Sequence, residues 1–201
     1  MRPVTGGIAK QKAFLLEKIS SEEVLGGANS MTRPAAIVVP YDPSEEADAQ
    51  EVVAALVADM AALGHTVAVA DLFSIVLDVL DDDGLFEEEV DIERTFGKER
   101  LIQELKDAAD IECDIVPHIK DVISDARGEM LFLTGVGACY PFLRTHQLID
   151  ENVLTVDVPV VLFFPGSYKA KPDGSVPLDI LNIPQGQGGG LFYRARNVYD
   201  L

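Results

Sequence analysis

The chain has 201 residues, enough for one domain with a substantial core; 48% of them are hydrophobic and 25% charged. Its formal net charge of −18 opposes contact with a phosphate backbone, so direct binding of nucleic acid is not expected. The acidity is interpreted as a source of solubility or as adaptation to a salty cytoplasm. With neither a signal-peptide pattern nor an apolar run of membrane-spanning length, the sequence predicts a cytoplasmic protein without membrane contact.

The first part of the chain predicts helices followed by a parallel strand–helix–strand unit. Apolar residues at helical spacing, with a break at Ser20 and Ser21, predict an N-terminal helical segment. Pro40 is expected to end the first strand, and Gly64 is expected to cap the helix of the unit, whose crossover is right-handed. The predicted elements are a helical segment within 1–30, a strand at 35–39, a helix at 47–63 and a strand at 65–70.

The middle of the chain predicts an acidic helical insertion at 81–128. Apolar positions with helical periodicity indicate its helices, and Pro117 falls where a first helical turn tolerates proline. The acidic runs at 81–83 and 87–89 lack the ligand spacing of a calcium loop, so they are interpreted as solvated charge. The predicted helices are at 71–80, at about 101–109 and from Ile111 onward.

The last part of the chain predicts further buried strands and then a β extension at 167–201. Pro165 and Gly166 are expected to end the most hydrophobic strand, and the extension is expected to add antiparallel strands at a sheet edge. The predicted elements are strands at 130–133 and 157–166, a helix from Gly137 to about Asp150, and strands at 176–183 and 191–198. Together these predictions describe a single α/β domain over 1–201. A mainly parallel sheet has flanking helices in three layers, in the manner of Rossmann or P-loop folds but without a Walker motif.

The junction at Gly135-Val-Gly137 is the first candidate site, because open α/β sheets bind ligands at the carboxyl ends of their strands. Backbone N–H groups at such a turn could cradle an anion. A Walker loop would need a following Lys-Ser or Lys-Thr pair, and a dinucleotide fingerprint would need glycine where the chain has Tyr140. A tight turn with close helix packing is therefore the favoured interpretation.

Other reactive side chains form no complete catalytic or metal-binding set. Arg144 and His146 are two residues apart, so on a helix they point to different sides. Cys139 and His146 would be separated by about 10 Å of helical rise, too far to act as a dyad. The histidines have no metal-type spacing, and Cys139, like Cys113, is expected to be a buried free thiol. Neither a metal nor a cofactor is expected.

Arginines near the end of the chain are a further candidate. Arg194 and Arg196 alternate with Tyr193, so both arginines are expected on one face of a strand. Such a pair could bind a carboxylate of a ligand or partner, or it could neutralise the protein's own acidic surface. The pattern leaves these alternatives open.

Three blocks in the last third of the chain resemble a known family, the B component of bacteriophage-exclusion (BREX) defence systems. Their order and spacing follow the pattern T-G-V-G-x-x-Y-P-x-x-R-x-H, then F-x-P-G-x-Y, then Y-Y-R-A. The chain departs from it at Phe192, in a longer glycine-rich loop before that residue and in its acidic first half. The blocks are residues 133–146, 158–168 and 192–195.

The resemblance implies a cytosolic protein of phage defence, without established catalytic activity, that works beside a site-specific DNA methyltransferase, a large ATPase and an alkaline-phosphatase-like protein. A non-catalytic assembly component that bridges these larger partners is the first hypothesis. A degenerate nucleotide- or anion-binding sensor using Gly135–Gly137 is the alternative, and a hydrolase is the weakest. Residues expected to build one surface or core at the carboxyl edge of the sheet are Thr134, Gly135, Gly137, Tyr140, Pro141, Arg144, His146, Pro165, Gly166, Tyr168, Tyr193 and Arg194.

Overall fold

The computed structural model describes residues 6–26, 36–82, 92–143, 154–168, 178–183 and 195–201. Within these ranges the chain forms a six-stranded sheet in the order β2-β3-β4-β1-β6, and β5 pairs with β4 outside that order. The strands are β1 Ala36–Tyr41, β2 Val67–Asp71, β3 Met130–Thr134, β4 Val160–Tyr168, β5 Leu178–Ile180 and β6 Ala195–Asn197.

Helices flank both faces of the sheet. The α-helices are α1 Lys12–Ile19, α2 Glu22–Leu25, α3 Glu46–Ala62, α4 Leu72–Asp82, α5 Lys98–Ala108 and α6 Val116–Ala126. Short 3-10 turns occupy Ile8–Gln11, Pro43–Glu45 and Val198–Asp200, and a π turn at Ile111–Ile115 leads into α6, with Pro117 in the first turn of that helix. In the described part of the chain, every helix is too short or too polar to cross a membrane.

The strand pairing confirms a mainly parallel α/β sheet. β1 lies between β4 and β6 and is parallel to both, while β2 with β3 and β3 with β4 are also parallel. β5 is antiparallel to β4, as expected for the C-terminal extension. The expectation that the last strand is also antiparallel is wrong, because β6 adds to the open edge of β1 in parallel, with Val38 beside Asn197.

The core has one layer on each side of the sheet, because successive side chains of a strand point to opposite faces. Phe132 and Phe163 face α1 and α3, with their ring centroids 5.3 Å apart in an edge-to-face arrangement. Leu131, Leu133 and Leu162 face α4 and α6 on the other side. This double covering explains the continuous apolar runs of β3 and β4.

Two strands continue past the prolines that were expected to end them. β1 continues through Pro40 to Tyr41, beyond Ala36–Val38, which pair with β6. On that side of the strand Pro40 faces no strand among the described residues, so its missing N–H breaks no inter-strand hydrogen bond there. β4 continues through Pro165 and Gly166 to Tyr168, because its last residues pair with β5.

A helix was predicted from Gly137 to about Asp150, but the described residues of this range, 137–143, contain none. Residues 136–142 form consecutive turns, with bonds from the Ala138 N–H to the Gly135 carbonyl (3.2 Å) and from the Tyr140 N–H to the Gly137 carbonyl (3.3 Å). Pro141, which follows a cis peptide bond, has no N–H to donate to a helix. Residues 144–150 of that predicted helix lie outside the described ranges.

Candidate functional site at the carboxyl edge of the sheet

The carboxyl ends of β2 and β3 are joined through the side chain of Asp71. One carboxylate oxygen accepts hydrogen bonds from the backbone N–H of Ser74 (2.9 Å) and from its hydroxyl (3.0 Å), which caps α4. The other oxygen accepts a bond from the Thr134 hydroxyl at 3.0 Å. Sequence reasoning missed this role and placed Asp71 in the helix, although an aspartate directly before an apolar helical run is an N-cap signal.

Gly135 packs directly against this carboxylate. Its φ of +74° is a left-handed conformation, and a Cβ built there would lie 2.6 Å from a carboxylate oxygen of Asp71. An anion placed at the turn would meet a negatively charged group, which opposes the phosphate-cradle interpretation. The structure thus agrees with the favoured interpretation of Gly135 and Gly137 as a tightly packed turn.

Gly137 and Gly166 connect the first two sequence blocks to their neighbours. A Cβ at Gly137 would lie 2.8 Å from Cγ of Pro165, so the turn after β3 packs closely on the end of β4. At Gly166, with φ of +153°, a Cβ would lie 2.2 Å from the carbonyl oxygen of Asp179 in β5. Both positions require glycine because another segment lies where a side chain would start.

Tyr168 connects the second block to the third. Its buried hydroxyl donates to the carbonyl oxygen of Ala195 at 2.7 Å, and its own carbonyl accepts a bond from the side-chain amide of Asn197 at 2.7 Å. These two bonds connect β6, which pairs with β1, to the end of β4.

The predicted site residues are thus placed in part. The turn also contains the half-buried Tyr140 and the exposed Pro141. Arg144, His146, Tyr193 and Arg194 lie outside the described residues, so their expected place at this edge stays a prediction. The predicted residues that the structure brings together along the edge are Thr134, Gly135, Gly137, Pro165, Gly166 and Tyr168.

A phenol–carboxylate pair lies at the same edge and was not predicted. The Tyr41 hydroxyl donates to a carboxylate oxygen of Glu46 at 2.7 Å. Burial raises the pKa of Tyr41, and the hydrogen bond to Glu46 and the negative charges of Glu46 and Asp71 raise it further. Tyr41 therefore stays neutral and acts as a donor. The signal in the sequence was weak, a tyrosine after a strand and a glutamate at a helix start.

An open groove of about 390 Å³ runs from this pair along α3. Its surface is mostly apolar, and its floor is formed by sheet residues such as Phe163. The lining residues are Tyr41, Glu46, Ala49, Gln50, Val53, Ala54, Val57, Val69, Thr134 and Phe163.

Both cysteines are free thiols, as expected, but only one is buried. Burial raises the pKa of Cys139 to about 12, and the charge of Asp71 adds to the effect, so this thiol is a poor nucleophile. The expectation that Cys113 is also buried is wrong: Cys113 is exposed. A hydrogen bond to Asp110 and the charge of that residue raise the Cys113 pKa.

Arg196, one of the two alternating arginines, contacts the protein's own acidic surface. Its guanidinium lies 2.5 Å from a carboxylate oxygen of Glu23 in α2. Of the two alternatives for the arginines, Arg196 therefore follows the second, in which it neutralises the protein's own acidic surface. Across the residues described, histidine, cysteine, aspartate and glutamate form no cluster suited to a metal ion.

The carboxyl edge of the sheet, where Thr134, Gly135, Gly137, Pro165, Gly166 and Tyr168 pack together, is called the packed edge below. With the fold, it defines the class of protein: a three-layer α/β protein whose turn after β3 is filled by packed side chains. Comparison with protein families identifies the family. The model described as "BREX protein BrxB" matches residues 68–198, and the chain belongs to this family. The resemblance seen in the three sequence blocks is thereby confirmed.

Two curated relatives have the same description. The chain is 30% identical over 102 residues to a BREX protein BrxB of Bacillus cereus (strain H3081.97), covering 49% of this chain and 52% of that protein. It is 30% identical over 106 residues to one of Escherichia coli O9:H4 (strain HS), covering 52% of each. The chain thus spans about half the length of the curated relatives it matches. No solved structure matches the chain.

Proposed function

We propose that the protein is a non-catalytic assembly component of a BREX-type anti-phage defence system. In this role it bridges larger partners: a large ATPase, an alkaline-phosphatase-like protein and a DNA methyltransferase. The observation that carries the proposal is the family match over residues 68–198, which includes the turn after β3, β6 and all but the first residue of β2.

The contacts at the sheet edge support a scaffolding role. Gly137 packs on Pro165, and Tyr168 holds Ala195, so motif residues are used to fix strands and turns relative to one another. Cys139 is buried with a raised pKa, which opposes nucleophilic chemistry at this turn. A rigid edge of this kind suits a surface that presents the same shape to its partners.

Co-purification tests the proposal. A tagged chain is expressed with the other proteins of its BREX system, and the complex is separated by size-exclusion chromatography. We expect the chain to elute with the ATPase, the phosphatase-like protein or the methyltransferase, and phage protection to be lost when its gene is deleted. Failure to associate with any of them, or unchanged protection without the gene, would contradict the proposal.

Activity assays on the purified chain test the non-catalytic part. We expect no turnover of generic phosphodiester or carboxyl-ester substrates above a heat-denatured control. Turnover that follows the chain through purification and changes in the Gly135→Ala variant would overturn this part and would leave the assembly role to be judged by co-purification.

A further inference from the structure

The groove along α3 is an uncovered apolar surface next to the packed edge. Six of its residues lie on one face of α3, in two adjacent rows of i, i+4 spacing: Glu46, Gln50 and Ala54, and Ala49, Val53 and Val57. Among the described strands β2 is the last on that side of the sheet, and the aliphatic side chain of Val69 on it is 38% exposed. Ala54 on the facing helix is also exposed.

The dimensions of the groove suit a short protein segment. Its helical wall from Glu46 to Val57 rises by about 16 Å, the span of roughly five residues of extended chain. It is open to solvent along this wall, where Gln50 and Ala54 are exposed. An extended segment can lie along such a wall without any rearrangement of the fold.

One end of the groove is acidic. Glu46 lines it, and Asp71 lies behind Thr134, which also lines it. The side-chain donors bound to these carboxylates are the neutral hydroxyls of Tyr41, Ser74 and Thr134. Among the described residues neither carboxylate takes part in an ion pair. A positive group brought to this end would therefore meet the Glu46 carboxylate, with the charge of Asp71 behind Thr134, and neither carboxylate has a described counter-ion.

We propose that the groove docks a segment of a partner protein in which a lysine or arginine is flanked by apolar side chains. The cationic head would lie at Glu46, and the apolar side chains would cover Val57 and Val69. Lysine and arginine suit this position because their aliphatic stems can lie on apolar surface while the charged head reaches an acid. The inference rests on the proposed assembly function and names the face through which one partner is held.

The experiment uses overlapping synthetic peptides that tile the other proteins of the BREX system, with binding to the full chain measured by fluorescence polarisation. We expect binding peptides to contain lysine or arginine beside apolar residues. Glu46→Gln, which keeps an acceptor for Tyr41, and Ala54→Lys, which places a cation in the groove, should each weaken binding about tenfold.

Matched controls lie on the same helix outside the groove. Glu51→Gln and Ala58→Lys make the same chemical changes at exposed positions of α3, and we expect them to change binding by less than about twofold. Circular dichroism and the melting temperature of each variant verify that the fold is intact. The proposal is overturned if no peptide binds, if replacing the basic residue with alanine leaves binding unchanged, or if groove and control variants bind alike.

The same variants in the co-purification experiment separate the two proposals. If the whole partners associate equally with the wild type and with Ala54→Lys, the groove proposal fails and the assembly function stands. If the wild type associates with none of them, the assembly function itself fails. Loss of one partner in Ala54→Lys but not in Ala58→Lys supports both.

Discussion

Asp71 is the residue on which the described part of the packed edge depends. It caps α4 through Ser74, holds the end of β3 through Thr134 and lies against the backbone of Gly135. The carboxylate also adds negative charge near Tyr41 and Cys139, whose pKa values it helps to raise. One side chain thus sets both the shape of the turn and its electrostatic character.

Gly135→Ala should destabilise the protein more than the same change at another glycine with positive φ. The added methyl group meets Asp71, whereas a Cβ at Gly64, with φ of +90°, has no heavy atom within 4 Å. We expect a loss of about 3 kcal/mol at Gly135 and about 1 kcal/mol at Gly64, measured by urea unfolding. In the Asp71→Ala background the effect of Gly135→Ala should shrink. Equal losses at Gly135 and Gly64 would contradict the assigned clash.

Nucleotides and inorganic phosphate should leave the melting temperature unchanged. The Asp71 carboxylate against Gly135 repels an anion at the turn. A ligand present at 100 times its Kd would add about 2.7 kcal/mol of stability, a shift that a thermal scan detects readily. A concentration-dependent shift that is abolished by changes at Gly135 would instead favour the nucleotide- or anion-sensor alternative.

The two thiols should differ sharply in reactivity. With Ellman's reagent at about pH 8 we expect Cys113 alone to react in the folded protein, because it is exposed while Cys139 is buried with a pKa of about 12. The Cys113→Ser variant should show no fast reaction until it is unfolded. Fast labelling of Cys139 in the native state would show that the turn opens readily.

The raised pKa of Cys139 also predicts a pH dependence of stability. The thiol has a pKa of about 8.5 in the unfolded chain and of about 12 in the folded protein. The stability that the buried neutral thiol contributes is therefore fully present below the pKa of the unfolded chain. As pH rises through this window the unfolded chain loses the proton first, and the free energy of unfolding falls by up to about 1.4 kcal/mol per pH unit. Cys139→Ala should remove this part of the slope.

At the scale of elements, the end of β4 is held by β5 on one side and by β6 through Tyr168. Gly166 lies beside Ile180, and Tyr168 contacts Ala195 and Asn197. The pairing with β5 explains why β4 continues past Pro165, and the bonds of Tyr168 connect β6 to the end of β4. The residue at which a strand ends therefore depends on its pairing with neighbouring strands as well as on its own sequence.

Gly166→Ala should loosen β5. The added methyl group would lie 2.2 Å from the carbonyl oxygen of Asp179, so β5 must move away from β4. We expect faster amide hydrogen exchange in residues 178–183 and a loss of about 2–3 kcal/mol in unfolding free energy. Gly26→Ala is the control, because its nearest neighbour, Cγ of Glu22, is 3.9 Å away. Unchanged exchange in β5 would contradict the close approach.

At the scale of the whole molecule, the two ends of the described chain complete one layer of the core. Phe14 of α1 stacks on Tyr199 with ring centroids 5.7 Å apart, and Lys18 donates to the carbonyl oxygen of Leu201 at 2.7 Å. β1 lies between β4 and β6. The region matched by the family model begins at residue 68, so it lacks β1, α1 and α3.

A fragment of residues 68–198 should therefore fail to fold alone. It would expose the sheet face that α1 and α3 cover and leave β4 without β1, one of its two parallel neighbours. We expect insolubility, or a non-cooperative thermal transition by circular dichroism, and recovery of soluble protein when residues 1–67 are co-expressed as a separate chain. Cooperative unfolding of the isolated fragment would show that the matched region is autonomous.

Much of this architecture could be read from local patterns in the sequence. The β-branched run of β1, the apolar face of α3 and the all-apolar residues 131–133 of β3 predicted their elements because each pattern is set by short-range periodicity. The insertion helices and the break between α1 and α2 followed for the same reason. The motif blocks also identified the family before any contact was known.

What only the tertiary structure decided were the contacts between distant segments. Asp71 contacts Gly135, Gly137 packs against Pro165, and the Tyr168 hydroxyl reaches Ala195 only once the strands are paired side by side. The sequence by itself determined most of the strands and helices, because periodicity and turn chemistry are local, but it predicted a helix after Gly137 where residues 136–142 form turns. The length of β4, the direction of β6 and the closed turn after β3 depended on neighbours that pairing brings together from far along the chain.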